Sequence, residues 1–242
     1  MAQGVYIATG GSGGLGQIVV SDLRAKGNLV LETARSSEKF VKPEFGKVFT
    51  GDLAERLGDF LESMTSFLDG RTAEYFGLFN AIGIPARVPE NASDADVEQI
   101  MRQSLNVNYM IPLAVAQHFI QLLKGRKGSI VFVSSQHTLK RTPGKETYFV
   151  PKLRLEEAAV ELSRLNPNVS VNVILPGNLG IGMSEAKRAD YERDGTLVDT
   201  SVVTDACFKY LTAPEGTGQK IWIYAEGGRT RTMVFTQMPA LH

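Results

Sequence analysis

The run Thr9-Gly10-Gly11-Ser12-Gly13-Gly14-Leu15-Gly16 stands between an apolar β-type stretch, Val5–Thr9, and a helical stripe formed by Leu15, Ile18, Val19 and Leu23. A strand that turns through glycines directly into a helix lets backbone N–H groups approach a pyrophosphate, and the helix dipole favours its negative charge. The run fits G-x-G-x-x-G on Gly11, Gly13 and Gly16, and also T-G-x-x-x-G-x-G on Thr9, Gly10, Gly14 and Gly16. A nucleotide-phosphate loop of the Walker type needs Lys and then Ser or Thr after its last glycine, whereas Gln17 and Ile18 follow here. NTP hydrolysis is therefore disfavoured. Dinucleotide binding is the reading that the context supports, against a plain flexible turn.

The rest of the chain repeats the theme of short β-rich runs separated by longer helical stretches. Strands are expected at Val5–Thr9, Leu29–Ala34, Lys47–Thr50, Phe76–Asn80, Ser129–Ser134, Ser170–Leu175 and Lys220–Tyr224. Runs such as Ile130-Val131-Phe132-Val133 are apolar without alternation, the pattern of strands buried on both faces. Alternating strands and helices imply a parallel sheet. The expected fold is a single-domain, Rossmann-like, doubly wound α/β sheet of about seven strands flanked by helices, covering residues 1–242. Asp94–Lys124 reads as a long helical region kinked at Pro112. Arg229–His242 reads as a C-terminal extension. Residues 182–200 are charged and poorly patterned, and fit either a mobile substrate lid or an exposed helix with i,i+3 and i,i+4 ion pairs.

Composition narrows the function classes. Lys and Arg number 26 against 26 Asp and Glu, which makes a nucleic-acid coat unattractive. With 43 % hydrophobic and 21 % charged residues the chain is neither disordered nor membrane-like. Met110–Leu123, the most apolar long stretch, is too short and too interrupted to span a bilayer. The N-terminus has no basic n-region and no apolar h-region. Cys207 has no partner cysteine and the histidines, His118, His137 and His242, are scattered, so neither a disulfide nor a metal site is expected. These features point to a soluble, cytoplasmic protein.

Two further segments bear on chemistry. About 20 residues after a glycine loop of this kind a carboxylate is expected to bind the ribose diol. Glu32 is the acid available, but Arg35, Ser36 and Ser37 stand at the carboxyl end of that strand. A guanidinium and hydroxyls there suit a 2′-phosphate, so NADP(H) is favoured over NAD(H). Tyr148-Phe149-Val150-Pro151-Lys152 places a phenol and an ammonium four residues apart, on one helical face. Pro151 is tolerated in a first turn, so that helix should begin at about Tyr148 or just after. Ser134 and Ser135 close a buried strand shortly before. Taken singly, each of these residues also fits a turn, cap or packing role.

Together the motifs resemble the short-chain dehydrogenase/reductases, in their smaller single-domain branch. In that family the glycine loop matches Thr9 to Gly16, the adenine-contacting Asp matches Asp52, and the N-N-A-G strand end matches Asn80-Ala81-Ile82-Gly83. The Pro-Gly after the sixth strand is Pro176-Gly177, and Glu226-Gly227-Gly228 resembles the family's ending. The family's cofactor-choosing position falls on Ala34, followed by Arg35. The resemblance implies catalytic roles for Asn108, Ser135, Tyr148 and Lys152. It implies cofactor contacts from Gly10, Ser12, Gly13, Gly14, Leu15, Gly16, Arg35 and Ser36, and from Asp52, Leu53, Asn80, Ala81 and Gly83. Tyr148, Lys152, Pro176, Gly177 and Leu179 complete that set. Substrate contacts are expected from Ser135, Tyr148, Asn178 and His137, the last of which otherwise faces solvent. Three departures stand out: the second Asn of N-N-A-G is absent, Pro151 replaces a small polar residue, and Ile181 stands where a Thr often holds the nicotinamide amide. That contact would fall to the backbone at Leu179 or Gly180.

The implied chemistry interconverts a carbonyl and an alcohol by hydride transfer, with Tyr148 as acid and base. Lys152 should draw the phenol below its ordinary value of about 10. Ser135 would hydrogen-bond the substrate oxygen, and Asn108 would complete a proton path through water to Lys152. Alternatives are a catalytically silent dinucleotide-sensing protein and a 3-oxoacyl thioester reductase. Relatives pair through the helices that correspond to 94–124 and 148–164, which implies a homodimer or homotetramer.

Overall fold

The computed structural model describes residues 4–35 and 46–236, so Ser36, expected to contact the cofactor, and residues 237–242 of the expected extension lie outside the described residues. In chain order the elements are β1 (Gly4–Thr9), α1 (Gly14–Ala25), β2 (Leu29–Ala34), β3 (Gly46–Thr50), α2 (Leu53–Leu68), β4 (Tyr75–Asn80) and α3 (Asp94–Leu105). A π-helical turn (Asn106–Met110) leads into α4 (Ile111–Leu123), followed by β5 (Gly128–Val133), α5 (Gln136–Lys140), α6 (Glu146–Leu165) and β6 (Val169–Pro176). A 3₁₀ helix (Gly182–Lys187), α7 (Arg188–Arg193), α8 (Thr200–Thr212), β7 (Lys220–Glu226) and β8 (Arg229–Phe235) complete the chain. All seven expected strands form, with ends within two residues of those expected.

The strands make one sheet in the order β3-β2-β1-β4-β5-β6-β7-β8, parallel except for the antiparallel β7–β8 pair. Order reverses between β1 and β4, so the carboxyl ends of these neighbours open a crevice where doubly wound sheets bind ligands. Because helices cover both faces, the central strands are apolar on both. Phe60, Phe119, Phe132 and Leu155 pack beneath α2, α4 and α6, and Leu23, Phe79, Ile174 and Leu211 pack beneath α1 and α8. Among the described residues no helix is long and apolar enough to cross a membrane, and no group of His, Cys, Asp and Glu could hold a metal ion. Cys207 is buried in the second core, and burial pushes its thiol up to about 12.

Three local expectations are revised. The segment read as a terminal extension forms an eighth strand over Arg229–Phe235, joined to β7 across Gly227 (φ 57°) and Gly228 (φ 72°), the backbone that a tight hairpin needs. Being an edge strand, β8 carries Arg and Thr rather than an apolar run, which hid it from a reading by hydrophobic pattern. The long helical region breaks at the π turn rather than at Pro112, which sits at the start of α4. Pro112 has no N–H, so it cannot make the i−4 bond to the carbonyl of Asn108, and this relieves the helix one turn earlier. Finally, α6 starts at Glu146, so Pro151 lies beyond its first turn.

Candidate active site

The glycine loop is built for close approach. Gly10 has φ 73°, and a Cβ on Gly16 would lie 2.1 Å from the Gly10 carbonyl oxygen. The Gly13 N–H donates to that oxygen at 3.0 Å and the Gly10 N–H donates to Thr33 Oγ1 at 3.0 Å. Gly16→Ala is therefore expected to lower stability by about 1–3 kcal/mol, as an overpacked core site does. Urea unfolding would measure this. Ser12 and Gly13 stand at the solvent side of the loop, whereas Leu15 turns into the core on α1, leaving its backbone for any ligand. Gly14 is approached by the backbone of Gly182, so the 3₁₀ helix that opens the 182–200 segment lies against the loop.

At the end of β2 the two candidate ribose residues part company. Glu32 is buried beneath Gly11, and its Oε1 is ion-paired to Arg24 Nη1 at 2.5 Å. Arg35 is exposed at the strand's end. Asp52 caps α2 by accepting from Ala54 N at 2.8 Å, and Leu53 behind it is buried. Asn80 ends β4 as a brace: its Oδ1 accepts from Thr9 Oγ1 at 2.8 Å and its Nδ2 donates to the Pro112 carbonyl at 3.1 Å. Ala81 N donates to the Thr9 carbonyl, which holds the two strand ends together.

Gly83, Asn108 and Lys152 converge in a small space. A Cβ on Gly83 would meet Asn108 Oδ1 at 2.9 Å and Lys152 Nζ at 3.3 Å, so only glycine leaves this cradle open. Asn108, fully buried in the π turn, accepts from Ile84 N at 3.0 Å and donates to the Ile84 carbonyl and to Ser104 Oγ. Its side chain thus clamps the loop after β4. Lys152 Nζ donates to the carbonyls of Val133 (3.0 Å) and Ile82 (3.2 Å). Burial pulls the Lys152 ammonium down to about 8, with the carboxylate of Glu156 opposing.

Ser135, two residues past β5, is extended and caps α5, its Oγ accepting from His137 N at 3.3 Å. Tyr148, four residues before Lys152 on α6, is half-buried. Burial raises its phenol above the ordinary value of 10 and the hydrogen-bonded Ser135 hydroxyl opposes the rise. The direction is opposite to that expected from Lys152, because the protein's own groups desolvate the phenol more than they charge its surroundings. His137 meets the Tyr148 ring edge-on, with centroids 6.1 Å apart. Pro176 and Gly177 end β6, and Gly177 N donates to the Ile223 carbonyl. Asn178, expected to touch substrate, has both side-chain ends engaged: Oδ1 accepts from Gln136 Nε2 at 3.0 Å and Nδ2 donates to Thr196 Oγ1 at 3.2 Å. Leu179 and Ile181 pack onto the core under α1 and α8.

One buried polar cluster next to Lys152 has no counterpart among the expected residues. Glu156 is 0 % exposed; its Oε1 accepts from Ser134 Oγ at 2.5 Å and its Oε2 pairs with Lys220 Nζ from β7. A carboxylate one helical turn after Lys152, between Leu155 and Ala159 on a buried stripe, was the available signal.

The family model for short chain dehydrogenases matches residues 4–192. The nodulation protein G of Rhizobium sp. (strain N33) is 23 % identical over 235 residues, covering 90 % of this chain and 94 % of that protein. A short chain dehydrogenase from Leptospira borgpetersenii, solved with bound NAD+, superposes with a TM-score of 0.77 at 19 % identity, over 94 % of this chain and 93 % of that one. The Pseudomonas aeruginosa RhlG/NADP active-site complex gives the same TM-score at 19 % identity, over 94 % and 96 % of the two chains. The glycine loop, the switch-point crevice and the matched span of 189 residues agree, and the chain belongs to the short-chain dehydrogenase/reductase family of oxidoreductases.

Proposed function

We propose that this protein is an NADP(H)-dependent reductase or dehydrogenase that interconverts a ketone or aldehyde with an alcohol. The observation that carries the reading is the convergence of Ser135, Tyr148 and Lys152 beside a glycine loop at the point where strand order reverses. The residues fit a dinucleotide: Gly16 lets the loop close tightly on its own backbone, Gly83 keeps open a space that a Cβ would fill, and the loop leads into a 12-residue helix. Gly10, Ser12, Gly13 and Gly14 would hold the pyrophosphate, and Asp52, Asn80, Ala81 and Gly83 would line the path beyond it. When bound, the nicotinamide supplies or accepts hydride. The Ser135 hydroxyl orients the substrate oxygen, and Tyr148 gives it a proton or takes one from it. Lys152, anchored on two carbonyls, holds a cation near the phenol and donates its remaining proton toward the site. Asn108 would complete a proton path through water to Lys152, beside which it lies at Gly83.

Arg35 carries the cofactor preference. Glu32 is already neutralised by Arg24 and sits below Gly11, so it does not offer a free carboxylate to a ribose diol. An exposed guanidinium at the end of β2 suits a 2′-phosphate instead. Fluorescence titration should show NADPH binding at least about tenfold tighter than NADH, with Arg35→Ala removing most of the difference. Tighter binding of NADH would overturn the preference. Binding of NADPH without turnover on a carbonyl panel would mark a dinucleotide-sensing protein instead.

The 182–200 segment serves as the lid of this site. Its ion pairs, Arg188–Glu192 (2.9 Å) and Arg193–Asp190 (3.0 Å), are solvent-exposed, while Gly182 packs on the glycine loop and Thr196 accepts from Asn178, which precedes the segment.

A further inference from the structure

Beside Tyr148 stands a cation, Lys145, that is in no ion pair among the described residues and has other cations within electrostatic reach. Lys145, just before α6, has its Nζ 3.2 Å from His137 Nε2, and His137 in turn touches the Tyr148 ring. An ammonium can only donate, so Nε2 accepts and the remaining ring proton lies on Nδ1, which donates to Thr142 Oγ1 at 2.9 Å. His137 is therefore neutral, and burial together with Lys145 and Lys140 holds it down at about 4. It carries no charge to the site, and serves to fix Lys145 beside Tyr148.

Three other segments add charge of the same sign. Lys140 ends α5, Lys187 ends the 3₁₀ helix, and Arg87 follows β4. Burial, then Lys187 and Arg87, hold the Lys145 ammonium below its ordinary value, which places both within electrostatic reach of it. Arg87 is presented by Ala86, a non-glycine residue at φ 37°, whose carbonyl accepts from Thr147 Oγ1 at 2.7 Å, next to Tyr148. Elsewhere the arginines Arg56, Arg102, Arg154, Arg164, Arg188 and Arg193 pair with acids, while Arg71 and Arg126 donate to backbone carbonyls and Lys26 lies over the Phe208 ring, so what marks this site is the grouping of its cations. Among the described residues Arg87, Lys140, Lys145 and Lys187 are in no ion pair, and Glu146, the acid next to Lys145, accepts from Gly144 N instead. In a chain with zero formal net charge, this local excess is a feature of the site.

We propose that the substrate of this site is an anionic carbonyl compound, its carboxylate or phosphate held by Lys145 with Arg87, Lys140 and Lys187 around it. The inference rests on the reading of Tyr148 and Ser135 as the carbonyl-binding pair, and it extends that reading to the far end of the substrate. Unpaired cations lining a cleft raise the local concentration of anions and orient them.

The test compares levulinate with its methyl ester, the same ketone with and without the charge. The quantity read is the ratio of kcat/KM for acid over ester with NADPH. The expected ratio is at least about ten in the native protein, falls with added salt, and approaches one in the double variant Arg87→Gln/Lys145→Gln. Equal turnover of acid and ester, or a preference that survives the double substitution, overturns the proposal. A matching loss of NADPH affinity in that variant also overturns it, since the cations would then serve the cofactor. If neither ketone is reduced, calorimetric titration with both decides: acid-selective binding lost in the variant retains this inference while the carbonyl-reduction reading fails, and equal or absent binding of the two rejects it.

Discussion

Tyr148→Phe is expected to lower kcat on any accepted ketone by about 10²–10⁴, the range that a positioned acid or base contributes, while leaving the NADPH dissociation constant within about twofold. The substitution removes one hydroxyl from a half-buried ring, and that ring's edge-on contact with His137 is preserved. Ser135 loses its bond to the phenol but still accepts from His137 N, and Lys152 keeps its bonds to two carbonyls, so the site retains its shape but has no group to move a proton at the substrate oxygen. Steady-state kinetics beside fluorescence titration separates the two effects. A variant that turns over at the native rate would remove Tyr148 from the proposed chemistry.

Breaking the buried ion pair between Glu156 and Lys220 should have the largest effect on stability. Removing one partner of such a pair leaves the other charge buried and uncompensated, which costs about 3–5 kcal/mol. Glu156→Gln and Lys220→Met are each expected to show that loss in urea unfolding, and the double variant less than the sum, because neither charge then remains alone. Additive losses would argue that the two residues are not coupled.

Glu156 also acts on Lys152. The charged groups facing Lys152 are Glu156 on its own helix and, behind that carboxylate, Lys220 from β7; Ser134 from the end of β5 is the neutral donor, and Glu98 and Arg102 of α3 pair with each other at the surface. Lys152 lies near 8 when folded and at about 10.5 when unfolded, so between these values the unfolded chain binds more protons, and this residue's contribution to stability rises with pH across that window. Without the carboxylate of Glu156 the folded value falls further. The alkaline limb of the pH–rate profile should then move to lower pH in Glu156→Gln and to higher pH in Lys220→Met, where the carboxylate serves Lys152 alone. A purely structural role would shift neither limb, or both in one direction.

Where function is concerned, local pattern and tertiary contact divide cleanly. The strand Ile130–Val133, the glycine turn after Thr9 and the Tyr148–Lys152 spacing are legible because each depends on residues close in the chain: burial on two faces, a turn that excludes side chains, one helical turn. Their identity as elements of a doubly wound sheet follows from the alternation alone. Three-dimensional contact was needed elsewhere. Glu32 looks like an alternative ribose ligand until Arg24 is seen to neutralise it. That the Asn108 amide clamps Ile84, and that Gln136 and Thr196 hold the Asn178 amide, carries no signal in the sequence. Glu156 and Lys220 are 64 residues apart and carry no joint signal. Local propensity and periodicity in the sequence sufficed for the seven central strands, the loop and the Tyr148–Lys152 spacing, but not for the edge strand β8 or the π turn. Which polar groups are already satisfied, and which cations are left without an acidic partner, depends on residues brought together by the open, doubly wound sheet, and only the tertiary structure decided it.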